Sequence, residues 1–230
     1  MRFRHADPIW HDYPQLVAGA LHVQGVRADA DVVAAAARHT ERAQQRLAAT
    51  PEGDWPEIQA WRRVFSRMGL KPTQYRCAAE ALLRRLRKDG ALPPLHPIID
   101  LCNAISAATA TPIAVFDTAQ IAGSLEVRPA AGGERYLAFS GEAEPADAGE
   151  IIFADEAGQA HARRWCHRQS AQSAVQPNTS AVLIVAESHH AGARDDMQRL
   201  VRSLTDEVQR LGWSVTASKL LGADDRELLF

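Results

Sequence analysis

The chain has 230 residues, 46% of them hydrophobic and 23% charged, with a formal charge of −2 at pH 7. A chain of this size and balance buries a core without help from metals or disulfides and is not of disordered composition; its charge excludes any global electrostatic case for nucleic acid, so an RNA contact must come from a local patch. No apolar run approaches the roughly 18 residues of a membrane span, MRFRHADPIW has no secretory apolar segment, and Cys77, Cys102 and Cys166 form no C-x-x-C pair, so we expect a soluble cytoplasmic protein without disulfides or a cysteine zinc site.

Leu16–Val26 reads as a strand, and Asp31 is placed to cap a helix over DVVAAAARHTERAQQRL. Pro51-Glu52-Gly53 breaks the chain. Asp54-Trp55-Pro56-Glu57 then has the pattern of a helix start, with Asp54 as the cap, and the helix puts Trp61, Phe65 and Met68 on one stripe. A second helix is predicted after Pro72-Thr73, with Cys77, Ala78, Ala81, Leu82 and Leu86 inward and a basic end at Arg84, Arg85, Arg87 and Lys88. Pro97 opens a third, with Ile98, Leu101, Cys102 and Ile105 inward and Asp100 and Asn103 on its polar side.

Beyond Thr111-Pro112 the pattern changes to short strands: IAVFD, SLEVRPA, ERYLAF, EIIFAD, HARRWC and AVLIVAE. SLEVR alternates as a half-buried strand does, and AVLIVA is continuously apolar, as a strand covered on both faces is. Met197, Leu200, Val201, Leu204, Val208 and Leu211 mark an amphipathic helix ended by Gly212, and WSVTASKL is a last strand before a polar tail. Helices first and antiparallel-type strands later favour an α+β fold, with a mixed, largely antiparallel sheet packed against helices. The expected organisation is one domain over residues 1–230, its core about 55–218, with an N-terminal strand–helix element over 1–50 appended.

Nucleotide-binding glycine loops, a nucleophile elbow and H-E-x-x-H are all missing. His161, His167, His189 and His190 raise a metal site, but adjacent histidines on an extended chain point opposite ways, and the reading is solvated strand-end histidines with no metal or other cofactor. Glu187, ending the apolar strand, is either a rigidly held pocket carboxylate or a charge leaving the core for water. Arg163-Arg164-Trp165-Cys166-His167-Arg168 combines guanidinium groups with an indole, a set that binds phosphate or stacks a base, or else is a solvated strand face around one core tryptophan.

IIDLCNAISAATATPIAVFD (98–117) resembles the V-V-D-V-T-N-Y-V…Q-P-x-H-A-F-D stretch of the phenylalanyl-tRNA synthetase β subunit, through Ile99-Asp100, Asn103, Pro112 and Phe116-Asp117. The likeness continues in order through Arg128, Gly133-Glu134, Asp155 and the AVLIVAE strand, covering roughly residues 60 to 190. That stretch belongs to the paired B-three and B-four modules, the tRNA-editing domain, and the upstream KPTQYRCAAEALLRR and the RRWCHRQS segment are similar to free-standing members of the group.

The resemblance implies hydrolysis, in trans, of the ester of a mischarged aminoacyl-tRNA. It places the aminoacyl group between the sheet and the 97–108 helix, with Glu187 and Asn103 as catalytic residues and Ala114, Phe116, Gly132, Gly133 and Trp165 around the substrate. The family's P-x-H-A-F-D histidine is Ala114 here, which bears on tyrosine specificity and on hydrolysis itself. Arg62, Arg63, Arg67, Arg84, Arg85, Arg163, Arg164 and Arg168 are the candidates for tRNA contact, the alternative being an exposed basic face. Two rival readings are a non-catalytic module that binds tRNA or a small amino-acid-like ligand, and a metal-dependent hydrolase built on the histidines.

Overall fold

The computed structural model describes residues 1–230. In chain order its elements are β1 (Arg2–His5), α1 (Asp7–Asp12), β2 (Val17–Gln24), α2 (Val33–Ala49), α3 (Pro56–Arg67), α4 (Ala78–Asp89), α5 (Pro97–Thr109), β3 (Ile113–Asp117), β4 (Ser124–Pro129), β5 (Arg135–Leu137), β6 (Ala143–Pro145), β7 (Ile151–Asp155), β8 (Ala160–Arg163), β9 (Arg168–Gln169), β10 (Ala181–Ser188), α6 (Ala193–Arg210), β11 (Ser214–Leu221) and β12 (Glu227–Leu229). The fold is α+β. One sheet has the order β11-β2-β10-β3 and the other β12-β1-β4-β7-β8-β9, with β5 and β6 as a separate hairpin. Every pairing is antiparallel except β1 with β4. No helix is long and apolar enough to cross a membrane.

Strand alternation divides the core. On β10, Val182, Ile184 and Ala186 meet Ile98, Leu101 and Ile105 of α5 and Met197, Leu200 and Leu204 of α6. Leu183 and Val185 point the other way, into a cluster with Trp61 and Phe65 of α3, Leu83 of α4 and Val127 and Phe153 of the second sheet. AVLIVA is therefore covered on both faces, as its continuous apolarity requires. β7 is also buried throughout, its Ile152 and Ala154 facing a small third cluster beneath the β5–β6 hairpin.

Several local expectations need correction. The N-terminal fifty residues are not an appendage: β2 lies between β10 and β11, and β1 lies between β4 and β12. The polar tail forms β12, which pairs with β1. Asp54 does not cap α3; it ends a 3-10 turn, Trp55 occupies the cap position without a side-chain bond, and Glu57 is ion-paired with Arg46 instead. The second helix starts only at Ala78, capped by the Cys77 sulfur, so its inward positions are Ala79, Leu83 and Leu86, while Ala81 is exposed. HARRWC is a strand only as far as Arg163, because Arg164 and Trp165 have φ of 47° and 59° and turn the chain.

Of the strand-end histidines, His161, His189 and His190 are buried, not solvated, and His167 is half-buried. His189 sits edge-on among Trp61, Trp165 and Tyr13. Ser188 Oγ and Asp196 Oδ2 occupy the two ring nitrogens of His190, at 2.8 and 2.6 Å. Glu57, His190 and Asp196 bring metal-type ligand atoms within 4.8 Å of one another, yet Glu57 is already held bidentately by Arg46.

Gly19 marks the closest packing between α6 and the sheet. A Cβ there would stand 2.6 Å from Val201 Cγ2 and 2.9 Å from Met197 Sδ. Gly19→Ala is expected to lower stability by about 1–3 kcal/mol through overpacking, read as a fall in the urea midpoint at unchanged slope; an unchanged midpoint would show that α6 does not press on β2.

Burial lowers the pKa of His189 to about 3, with His5 adding repulsion, and burial also lowers His39 and His161. Between about pH 3 and 6.5 the unfolded chain thus binds protons that the folded chain refuses. That stability is whole above pH 6.5 and is lost as pH falls through this window. His189→Phe keeps an aromatic ring and removes the unpartnered buried Nε2, so its stability is expected to fall less steeply from pH 7 to 5 than that of the wild type. Parallel pH profiles would show that His189 does not carry the dependence.

Candidate functional site

Glu187 lies at the end of β10 on the side-chain row of Leu183 and Val185, and is only 3% exposed. A carboxylate this deep must be hydrogen-bonded or it is prohibitively costly. Trp165 Nε1 donates to its Oε1 at 2.8 Å and His5 Nε2 lies 2.7 Å from the same oxygen. Trp61 Nε1 donates to the Glu187 carbonyl at 3.3 Å. With Glu187 ionised the His5 proton is on Nε2, leaving its buried Nδ1 without a partner. All the protein's side-chain bonds to this carboxylate converge on Oε1; Oε2 receives none.

Above Glu187 is a cavity of about 70 Å³, walled by Ala114, Phe153, Trp165 and Val185 and rimmed by Cys166, His167, Arg168 and Gln169. That is room for a handful of waters or a small side chain, at about 10–15 Å³ per water-sized probe. Trp165 is pinned there. Its backbone, like that of Arg164, is left-handed, a conformation that costs a non-glycine residue about 1–3 kcal/mol and persists only when its surroundings enforce it. Its amide donates to Ile151 O at 2.7 Å and its indole packs edge-on against Trp61 and Tyr13.

Ala114 is opposite Val185 in the β3–β10 register and on the same face as Glu187. A longer side chain at 114 would therefore project into this cavity. Phe116 is two residues along the same row but wholly buried against Phe153, and it does not line the cavity.

Asn103 is separated from Glu187. It lies on α5, which packs on the opposite face of the β10 sheet, and it lines a different groove with Val33, Leu92 and Pro93. Glu187 opens on the other side of the sheet, toward the β8–β9 turn, so the predicted pocket between the sheet and the 97–108 helix is corrected by strand alternation. Gly132 and Gly133 are also elsewhere, in the β4–β5 turn. Their amides are spoken for, donating to Glu134 Oε2 at 3.0 Å and Ala146 O at 3.1 Å. Burial raises the Glu134 pKa, but the Ala131 amide, Arg128 and the Gly132 amide outweigh it and hold the group at about 2.

The predicted arginines divide by their partners. Arg163 is buried and locked by Glu144, Asp147 and Glu150, with Glu150 engaged at both oxygens. Arg62 is paired bidentately with buried Glu80, and Arg84 pairs with buried Glu52, as does Arg87. Arg168 lies 3.6 Å from Glu144 and over the Tyr136 ring. Arg63, Arg67 and Arg85 are exposed without an acidic partner, Arg67 standing over Tyr13, and Arg164 stands over Tyr75. Sequence reasoning missed His5 altogether: a lone histidine in RFRH carries no mark of a partner 182 residues away.

The comparisons agree with this architecture. The phenylalanine–tRNA ligase β subunit of Cereibacter sphaeroides is 36% identical over 76 residues, 33% of this chain and 9% of that protein. The same subunit of Bradyrhizobium diazoefficiens is 37% identical over 79 residues, 34% of this chain and 10% of that protein. The chain thus aligns with about a tenth of the length of these relatives. An N-terminal fragment of the phenylalanyl-tRNA synthetase β subunit from Pyrococcus horikoshii shares the fold with a TM-score of 0.55 at 10% identity, over 97% of this chain and 52% of that one. The family model for the B3/4 domain matches residues 60–223, which runs from within α3 through β11 and takes in the whole of the Glu187 cavity; the chain belongs to the B3/4 domain family.

Proposed function

We propose that the chain binds tRNA and hydrolyses, in trans, the ester joining a wrong amino acid to it, with Glu187 as the acidic centre. The observation that carries this reading is the one-sided solvation of that carboxylate: Trp165 and His5 both hold Oε1, and Oε2 is left for the small cavity. An aminoacyl ester is already activated, so the site has only to hold the aminoacyl group and orient water. In this reading Oε2 accepts a hydrogen bond from a water, whose oxygen attacks the ester carbonyl. The water's proton passes to Glu187 and then to the departing ribose oxygen, releasing amino acid and tRNA. The indole of Trp165 and the methyl of Ala114 shape the space for the side chain. Trp165, Ala114 and Glu187 act here as parts of one cavity; Asn103, Phe116, Gly132 and Gly133 have no part in it.

A second reading is favoured by a specific observation. The cavity's donors are already committed, Gln169 Nε2 to Val115 O at 2.6 Å and the Trp165 amide to Ile151 O at 2.7 Å, and Ala114 offers no polar group where the related synthetase stretch has histidine. A site so arranged suits binding of tRNA or a small amino-acid-like ligand without hydrolysis.

The test is loss of aminoacyl ester from a panel of correctly and wrongly charged tRNAs, with cytoplasmic-type buffer and no added metal. The expected outcome is accelerated hydrolysis of one mischarged pair, reduced at least about tenfold in Glu187→Gln, as for loss of a general base. Gln preserves both acceptor bonds to Oε1, so an unchanged melting temperature separates chemistry from folding. Hydrolysis unaffected in the variant would remove Glu187 from the reaction; no acceleration of any pair by the wild type would leave the binding reading.

A further inference from the structure

A second polar feature lies on the face of the β10 sheet opposite Glu187. Between α2 and α6 runs a groove of about 350 Å³ lined by nine residues, none of them hydrophobic, among them Arg38 and Arg42 from α2 and Arg199, Arg202 and Arg210 from α6. The groove is the polar side of α6, whose Met197, Leu200, Leu204 and Val208 are buried against the sheet. Five arginines face two acidic residues in it, Asp206 and Glu207, and Arg199 also pairs with Asp196 just outside it, leaving an excess of two positive charges in a chain whose total is −2.

The groove is also built, not accidental. Glu207 is buried and receives Arg38 at 3.0 and 3.3 Å and Arg210 at 3.2 Å, so one carboxylate fixes a guanidinium from each helix on either side. Burial raises its pKa, but the bonds from Arg38 and Arg210 outweigh that and hold it below the usual carboxylate value, so it is consumed in the arrangement. Arg42 and Arg202 are exposed and make no ion pair at all.

We propose that this groove binds the phosphate backbone of an RNA, and that it, more than the predicted arginines, supplies the chain's affinity for tRNA; the proposal rests on the tRNA reading above. The chemistry selects the ligand. Guanidinium groups present flat, bidentate donors to phosphate oxygens. The groove has no Phe, Tyr or Trp, and its one aromatic ring, His39, is buried, so it suits the backbone and not unstacked bases. From Arg199 to Arg210 the helix rises about 16 Å at 1.5 Å per residue, which follows several successive phosphates and exceeds what one small anion would fill. Unlike Arg42 and Arg202, Arg62, Arg84 and Arg163 have their charge balanced by buried carboxylates.

The experiment is binding of fluorescently labelled, uncharged tRNA by anisotropy at 50 to 200 mM salt. It compares wild type, Arg42→Gln/Arg202→Gln and Arg63→Gln/Arg85→Gln. Neither Arg42 nor Arg202 bonds to the fold, so the double variant should melt as the wild type does. It is expected to bind about tenfold more weakly and to lose about 1.4–1.8 from the slope of log affinity against log salt, since each of two phosphate contacts contributes about 0.7–0.9. Equal loss in Arg63→Gln/Arg85→Gln, or no loss in the groove variant, would overturn the assignment while leaving tRNA binding in place. Failure of the wild type to bind tRNA would overturn it as well; the Glu187 reading is decided separately, by the deacylation comparison.

Discussion

One buried carboxylate ties the structure together. Glu187 ends the central strand of one sheet, and its partners come from three other places: His5 from β1 of the second sheet, Trp165 from the β8–β9 turn, and Trp61 from α3, which donates to its carbonyl. Each donor offsets part of the desolvation of a carboxylate that is buried except at the small cavity beside Oε2. Removing one would leave the others crowding an under-satisfied anion, a loss of roughly 1–3 kcal/mol for a single buried bond. The same requirement holds Arg164 and Trp165 in left-handed backbone. The site's strain and its charge are therefore supported by the same packing, with Tyr13 and His189 closing the aromatic shell around Trp165 and Trp61.

A second constraint is how the chain balances its arginines. Buried carboxylates at Glu52, Glu57, Glu80, Glu150 and Glu207 each take one or more guanidinium groups. Most of these pairs knit helix to helix or strand to loop: Arg46 to Glu57 links α2 to α3, and Arg62 to Glu80 links α3 to α4. Charges so used are structural. What remains free for a polyanion is decided by which arginines lack a carboxylate, not by where arginines are dense in the chain.

The two-sidedness of the β10 sheet separates the features. Its α5–α6 face carries the basic groove on the outer side of the helices, and its other face opens at Glu187 into the cavity beside the β8–β9 turn. A long, phosphate-rich ligand could meet both only by passing around an edge of the sheet, whereas a small amino acid would meet the cavity alone. This makes affinity and chemistry separable properties of the molecule, carried by residues that share no contact.

The sequence by itself determined the elements whose apolar pattern is strong. α5, α6, β3, β4 and β10 lie where periodicity put them, and the α+β class follows from their order, because alternation and 3.6-residue spacing are local consequences of burial on one face or two. It also determined that Glu187 ends a buried strand and that Ala114 replaces a histidine in the related stretch. Only the tertiary structure decided which face Glu187 takes, and hence that Asn103 stands across the sheet from it, since a shift of one residue in a strand reverses every side chain. It alone joined His5 to Glu187, and Arg38 and Arg42 to an α6 stripe some 160 residues on. The weak elements, β1, β6, β9 and β12, were not legible because strands of two to four residues are made by their partners, and the pairing energy that forms them is nowhere in their own sequence.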